Sequence, residues 1–300
     1  MMQAVLRKSL PLAGLALLVL PGCDVEFPEE EVRLRYDAAS DTLDVLFIYS
    51  GVHTPEATEE ALKDGVAVAD RILAGRREFM LLDWPYLWDL DEMAEDEETL
   101  LPYRRLIDRV SLLEVGAFLD NGERLSAWQH FRMKEVTPSL KQANQALALF
   151  IQLGALTGDL QENLPWVDDE ELELWTEDAR MGVQWIRFED GGLVVDVPMS
   201  ELASVRALSM LTQQAMKEAA GEEELVTVAM LFENVHSMRI ADGRAVFRLG
   251  QREGEQTVFQ LRRGDAPYDD ALLTALQARG LDLSAAPSLA EVRSRLQAGE

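Results

Sequence analysis

The chain has 300 residues, 48% of them apolar and 27% charged, and a formal net charge of −26. So acidic a polypeptide lacks the Lys and Arg clusters that bind phosphate, which excludes nucleic acid as a partner, and anionic lipid headgroups repel it. With one cysteine, Cys23, there is no disulfide, so the fold must rest on an apolar core, for which the length is ample.

The first element is a leader. Arg7 and Lys8 make a short positive segment, Leu10 to Leu20 is an uncharged apolar run, and Leu20-Pro21-Gly22-Cys23 follows at once. The run fits the ~7–15 residues of a secretory signal and is too short to span a bilayer. The arrangement resembles the lipobox of bacterial lipoprotein precursors, although Pro21 stands where those precursors more often carry a small residue. The resemblance implies a signal peptide over 1–22 and lipidation (palmitate) of Cys23 as the new N-terminus. It also implies export to the cell envelope, with the lipid bilayer as partner through the acyl anchor. Several acyl chains hold firmly where a single one is marginal. Asp24 resembles the signal that retains some proteobacterial lipoproteins in the inner membrane; inner and outer membrane both stay open. Losing Arg7 and Lys8 with the leader takes the net charge from −26 to −28.

Pro28 and the three glutamates Glu29 to Glu31 disfavour packing, so residues 23–31 read as a lipidated tether. Val32, Leu34 and Tyr36, then Leu43, Val45, Phe47 and Tyr49, alternate with polar residues across an Asp37–Asp41 turn, which predicts a hairpin with one buried face. Thr54-Pro55 reads as the start of a helix striped by Leu62, Val66, Ala69 and Leu73 and closed by Gly75. Leu112 to Leu119, Asn121-Gly122 and Leu125 to Val136 predict a second hairpin. Thr137-Pro138 opens a helix bearing Leu140, Ala143, Leu147, Phe150, Ile151 and Gly154. Residues 142–158 carry no charge, but Asn144, Gln145 and Gln152 interrupt them, so this is a core helix and not a membrane span.

Two further hairpins are predicted around Asp190-Gly191 and Asp242-Gly243, from Val183–Phe188 with Leu193–Val197 and from Val235–Ile240 with Ala245–Leu249. Pro198 precedes a helix with Leu202, Val205, Leu208 and Leu211. A strand over Thr257–Leu261 leads through Pro267 to a helix with Leu272, Leu273 and Leu276, ending at Gly280. Ser288 and Glu291 form a capping box for a last helix carrying Leu289, Val292 and Leu296. The order hairpin, proline, helix thus recurs four times, with prolines at 55, 138, 198 and 267. It predicts an α+β fold: antiparallel hairpins alternating with helices, a layered sheet with helices on one face. The halves are 32–158, a ββαββα-like unit, and 159–300, a second α+β half, with one continuous domain as the alternative.

Chemistry is harder to find. Residues 89–98 and 168–178 each hold seven acids. An EF-hand loop starting at Asp89 would place Met93, Ala94 and Leu100 at its fifth, sixth and twelfth positions; one starting at Asp168 would place Leu172, Glu173 and Ala179 there. Both fail as calcium loops. Leu172, Trp175 and Ala179 instead give the second cluster the core face of a helix, its acids favoured by the dipole in the first turn. His53, His130 and His236 have no second ligand at metal spacing, so no metal and no cofactor is expected. Ser50 beside His53 is not a nucleophile motif. Only five lysines accompany 23 arginines, and the acids are spread along the chain, which reads as a solvated, self-repelling surface rather than a basic partner's docking face.

The most unusual stretch is Asp83-Trp84-Pro85-Tyr86-Leu87-Trp88-Asp89. Aromatics between carboxylates form a sugar-stacking platform in one reading, with Asp83 and Asp89 as weak catalytic candidates for acid and base or nucleophile. The sequence therefore points to a cell-envelope lipoprotein whose soluble part is a binding or scaffolding module for an envelope protein partner. The alternative is an envelope hydrolase using carboxylates around Trp84 and Trp88. A cation-buffering acidic surface is a third reading.

Overall fold

The computed structural model describes residues 25–80, 87–96, 101–157, 169–199, 234–262 and 268–297. Among them are a six-stranded and a four-stranded antiparallel sheet, a two-stranded ribbon and seven helices, an α+β fold. The chain divides into two compact units. One is Val19–Lys134 with Arg252–Glu300, and the other contains Glu135–Gln251. The division thus falls at residues 135 and 251, not at 158, and the second unit is an insertion between two strands of the first.

In the first unit, β1 (Glu29–Asp37) and β2 (Thr42–Ser50) form the first hairpin, and β5 (Val110–Asp120) and β6 (Arg124–Lys134) the second. With β11 (Gln251–Glu253) and β12 (Gln256–Arg262) they make a sheet of order β11-β12-β1-β2-β6-β5. Asn121 and Gly122 both have positive φ (50° and 78°), which is what the tight β5–β6 turn needs. Alternation then sorts each strand between two faces.

On one face Tyr49, Ala117, Leu125 and Ala127 meet helices α1 (Glu59–Leu73) and α6 (Ala271–Ala278), through Val68, Ile72 and Leu276, around an apolar void of ≈ 30 Å³. On the other, Leu46, Ile48, Phe118 and Trp128 are covered by α7 (Leu289–Ser294), whose Val292 and the following Leu296 are fully buried. The predicted capping box of α7 is present. Two helices share one face, as predicted, and the short α7 lies on the opposite one. Helix α1 starts later than Thr54-Pro55 implies: Thr58 is its N-cap, its hydroxyl accepting from the Ala61 amide, while Thr54 is buried.

Residues 25–31 are not a tether. Val25 and Phe27 are 4% and 2% exposed, Glu26 pairs backbone to backbone with His53, and β1 begins at Glu29. The Phe27 ring packs 4.9 Å from that of Tyr49. The glutamates that looked solvated are strand residues, and Glu30 and Glu31 are buried.

In the second unit β7 (Ile186–Glu189), β8 (Gly192–Pro198), β9 (Val235–Ala241) and β10 (Arg244–Leu249) are ordered β7-β8-β10-β9. Its two hairpins turn on Asp190-Gly191 and Asp242-Gly243, each pair at positive φ. Helix α4 (Val136–Thr157) packs on α5 (Asp169–Met181) around Ile151, Ala179 and Trp185. It is only partly a core helix, because Leu149 is 57% and Leu153 42% exposed. The helix predicted around Leu202 to Leu211 lies outside the described residues.

Candidate functional site

Two short strands complete the first unit, β3 (Glu78–Met80) and β4 (Leu87–Asp89), paired antiparallel so that Glu78 stands opposite Asp89. Two carboxylates directly across a ribbon repel each other. Arginines from the end of α1 and the segment after it hold them together. Arg71 Nε lies 3.1 and 3.0 Å from the two oxygens of Glu78. Arg76 Nε is 3.0 Å from Glu78 Oε1, and its terminal nitrogen reaches Asp89 Oδ2 at 2.6 Å. Arg77 donates to Asp91 and to the carbonyls of Val110 and of Ile107, the last residue of α3 (Leu101–Ile107).

Asp89 is committed twice over. Its Oδ1 caps helix α2 (Leu90–Glu95), accepting from the amides of Asp91 and Glu92 at 3.0 and 2.9 Å, and its Oδ2 takes the Arg76 guanidinium. Glu78 is completely buried. Its burial, with the charge of Asp89 nearby, outweighs the hydrogen bond and charge of Arg71 and raises its carboxyl above the usual range. The Glu78 carbonyl accepts from Gln129 Nε2 at 2.5 Å. The Tyr49 hydroxyl lies 3.1 Å from Met80 O and 3.2 Å from Gln129 Oε1, with one proton to donate between them, and accepts from the Met80 amide. Burial and the Glu30 charge push the Tyr49 phenol well above its ordinary value, so it remains a neutral donor. Chemically this cluster is a clamp. It fastens the ribbon to α1 and to the sheet.

The other sheet face carries two ionic clusters. Arg132 grips Asp44 with Nε at 2.7 Å and a terminal nitrogen at 3.0 Å, while His130 Nε2 lies 3.7 Å from the same carboxylate. Burial would raise the Asp44 carboxyl, but His130 and the Arg132 fork together hold it down at about 2. Glu31 accepts from Arg33 on its own strand, Gln260 on β12 and two nitrogens of Arg293 on α7; these partners outweigh its burial and lower its carboxyl. The second unit repeats the device: Arg244 binds Asp178 at 2.8 Å and Asp196 at 2.7 Å, and Asp178 also accepts from Trp185 Nε1 at 3.0 Å. Arginine is preferred to lysine here for its rigid fork, which meets two acceptors at once.

Of the residues singled out in the sequence, Cys23, Asp24, Asp83 and Trp84 lie outside the described residues, and Trp88 is described only as backbone of β4. Asp89 is described, and its near carboxylate is Glu78 across the ribbon. His53 is buried, its Nδ1 2.8 Å from the Gly51 carbonyl, and His236 is exposed on β9. Among the described residues no group of three His, Cys, Asp or Glu is placed to hold a metal ion. Sequence reasoning passed over Glu78, Arg71 and Arg76, because a lone glutamate after a helix reads like any solvated one. The usable signal was two closely spaced arginines on either side of a helix-ending glycine, just ahead of a strand. Searches against family models, curated proteins and solved structures find no match to this chain.

Proposed function

We propose that the protein is an exported lipoprotein of the bacterial cell envelope, anchored through Cys23, whose folded part is a binding or scaffolding module. The observation that carries this reading is the junction between sequence and fold. A positive segment, an apolar run and the only cysteine precede residue 24, and Val25 is already buried. Nothing from Val25 onward is available as a signal, since it is already strand and core.

The choice of a module over a hydrolase rests on Asp89. A general acid or base must be free to exchange a proton with a substrate, and both Asp89 oxygens are spent on the α2 amides and on Arg76. The cluster instead supports a structural role: arginine pairs fasten the ribbon to α1, as a rigid binding module requires. The test is metabolic labelling with a fatty-acid probe. Wild-type protein takes up the label and sediments with membranes, and Cys23→Ala does neither. Equal labelling of the two ends the proposal.

A further inference from the structure

Resting on the lipoprotein reading, we infer that one end of the six-stranded sheet lies against the headgroups of the bilayer, because the anchor has no slack. One residue, Asp24, separates Cys23 from Val25, and two residue steps reach at most about 7 Å. Val25 and Phe27 are in the core, and between them Glu26 is pinned to His53 by two backbone hydrogen bonds of 2.7 and 2.9 Å. A lipid on Cys23 therefore draws in whatever stands beside this first segment.

The strand register says what that is. Glu29 pairs with Ser50 and Arg262, Ser50 with Ser126, and Ser126 with Phe118. These residues form one row across the sheet. Beyond the row, on the same side, comes the β5–β6 turn at residues 121–123. So does Tyr268, whose hydroxyl accepts from the Leu125 amide at 2.9 Å and whose ring stacks edgewise at 6.0 Å from His53. Gly51 seals the junction, its Cα so close to Pro28 that a Cβ would lie 3.1 Å from the ring. The β1–β2 turn at Asp37–Thr42 is at the other end, nine residues of strand away, or about 30 Å.

The membrane-facing end is acidic. Glu123, Asp269 and Asp270 are exposed there, with Arg124 and Arg262 as nearby cations. Surface charge would drive this end away from an anionic leaflet. The covalent anchor holds it within one Debye length, about 8 Å at physiological salt. The partner is thus a lipid surface held by the acyl chains and opposed by the protein's own charge.

The experiment uses the lipidated full chain. Cys23 is consumed by its lipid, so a second cysteine is the sole free thiol. Glu123→Cys at the near turn and Ala39→Cys at the far turn, both exposed positions, are labelled with a fluorophore and reconstituted in phosphatidylcholine vesicles containing headgroup-spin-labelled lipid. Quenching by that lipid reports contact with headgroups and not burial against another protein. The label at 123 should be quenched several-fold more than the label at 39. A ten-residue Gly-Ser insertion between Asp24 and Val25, with a mean reach of ~17 Å, should bring the two close to equality. Equal quenching without the insertion, in protein whose acyl group is confirmed by mass, overturns the inference and leaves the anchor standing. Absence of the acyl group overturns the anchor itself.

Discussion

Asp44→Asn separates charge from shape at the best-defined ion pair of the first unit. Asp44 on β2 stands directly opposite Arg132 on β6, and the two are joined by bonds of 2.7 and 3.0 Å, with the aspartate side chain 8% exposed. Its carboxyl is held at about 2 against an ordinary 3.8. At ~1.4 kcal/mol per unit, that difference corresponds to about 2 kcal/mol of stability at neutral pH. The folded value is the depressed one, so this stability is fully present above pH 4 and is lost as the pH falls through 3.8 toward 2. Asparagine keeps the volume and one acceptor but leaves Arg132 facing a neutral partner. Urea unfolding, followed by tryptophan fluorescence and circular dichroism, should show the variant less stable by ~2–3 kcal/mol at pH 7. The gap between wild type and variant should close by about 2 kcal/mol between pH 4 and pH 2. Other acids protonate over the same range, but they do so in both proteins and cancel in the difference. A gap that stays constant from pH 7 to pH 2 would refute the assignment of the stabilisation to the Asp44 charge.

Two further outcomes follow from the same geometry. Glu78 has the opposite sign: burial raises its carboxyl, so the stability it contributes as an acid is complete below its ordinary 4.5 and is lost as pH rises through the higher folded value. Glu78→Gln, which imitates the protonated form, should gain on wild type as the pH goes from 4 to 7, and a loss over that range contradicts the direction. Gly116→Ala places a Cβ 2.7 Å from Trp128 Nε1 and 3.0 Å from Cε2. The ring has Arg295 5.3 Å from its centre on α7's C-terminal side, so it yields only by disturbing the α7 contact. The expected cost is ~1–3 kcal/mol, and an unchanged melting temperature would show that the ring moves freely.

How far the fold is legible in the chain varies with the kind of signal. Asp-Gly at 190–191 and 242–243, and Asn-Gly at 121–122, were readable because positive φ at both central positions of a tight turn is tolerated by few residue types. The α7 capping box was readable because its two bonds join residues three apart. The start of α1 was misread because Thr54-Pro55 and Thr58 are both plausible caps, and burial of Thr54 decides between them. Glu29 to Glu31 were misread as solvated for a similar reason. Charge predicts exposure until partners distant in sequence meet it, and Arg293 and Gln260, bonded to Glu31, lie 262 and 229 residues away. The short ribbon strands β3 and β4, three residues each, carry too few alternations to be seen.

Taken alone, the sequence determined what depends on neighbours along the chain: the hairpin turns, the helix stripes and so the α+β class. Only the tertiary structure decided that Val25 and Phe27 are core residues, that the second unit interrupts the first, and that Asp89 answers to Glu78 and Arg76. The reason is physical. Turns and caps close within a few residues, whereas the energy of a buried carboxylate is set by arginines that the folded sheet alone brings to it.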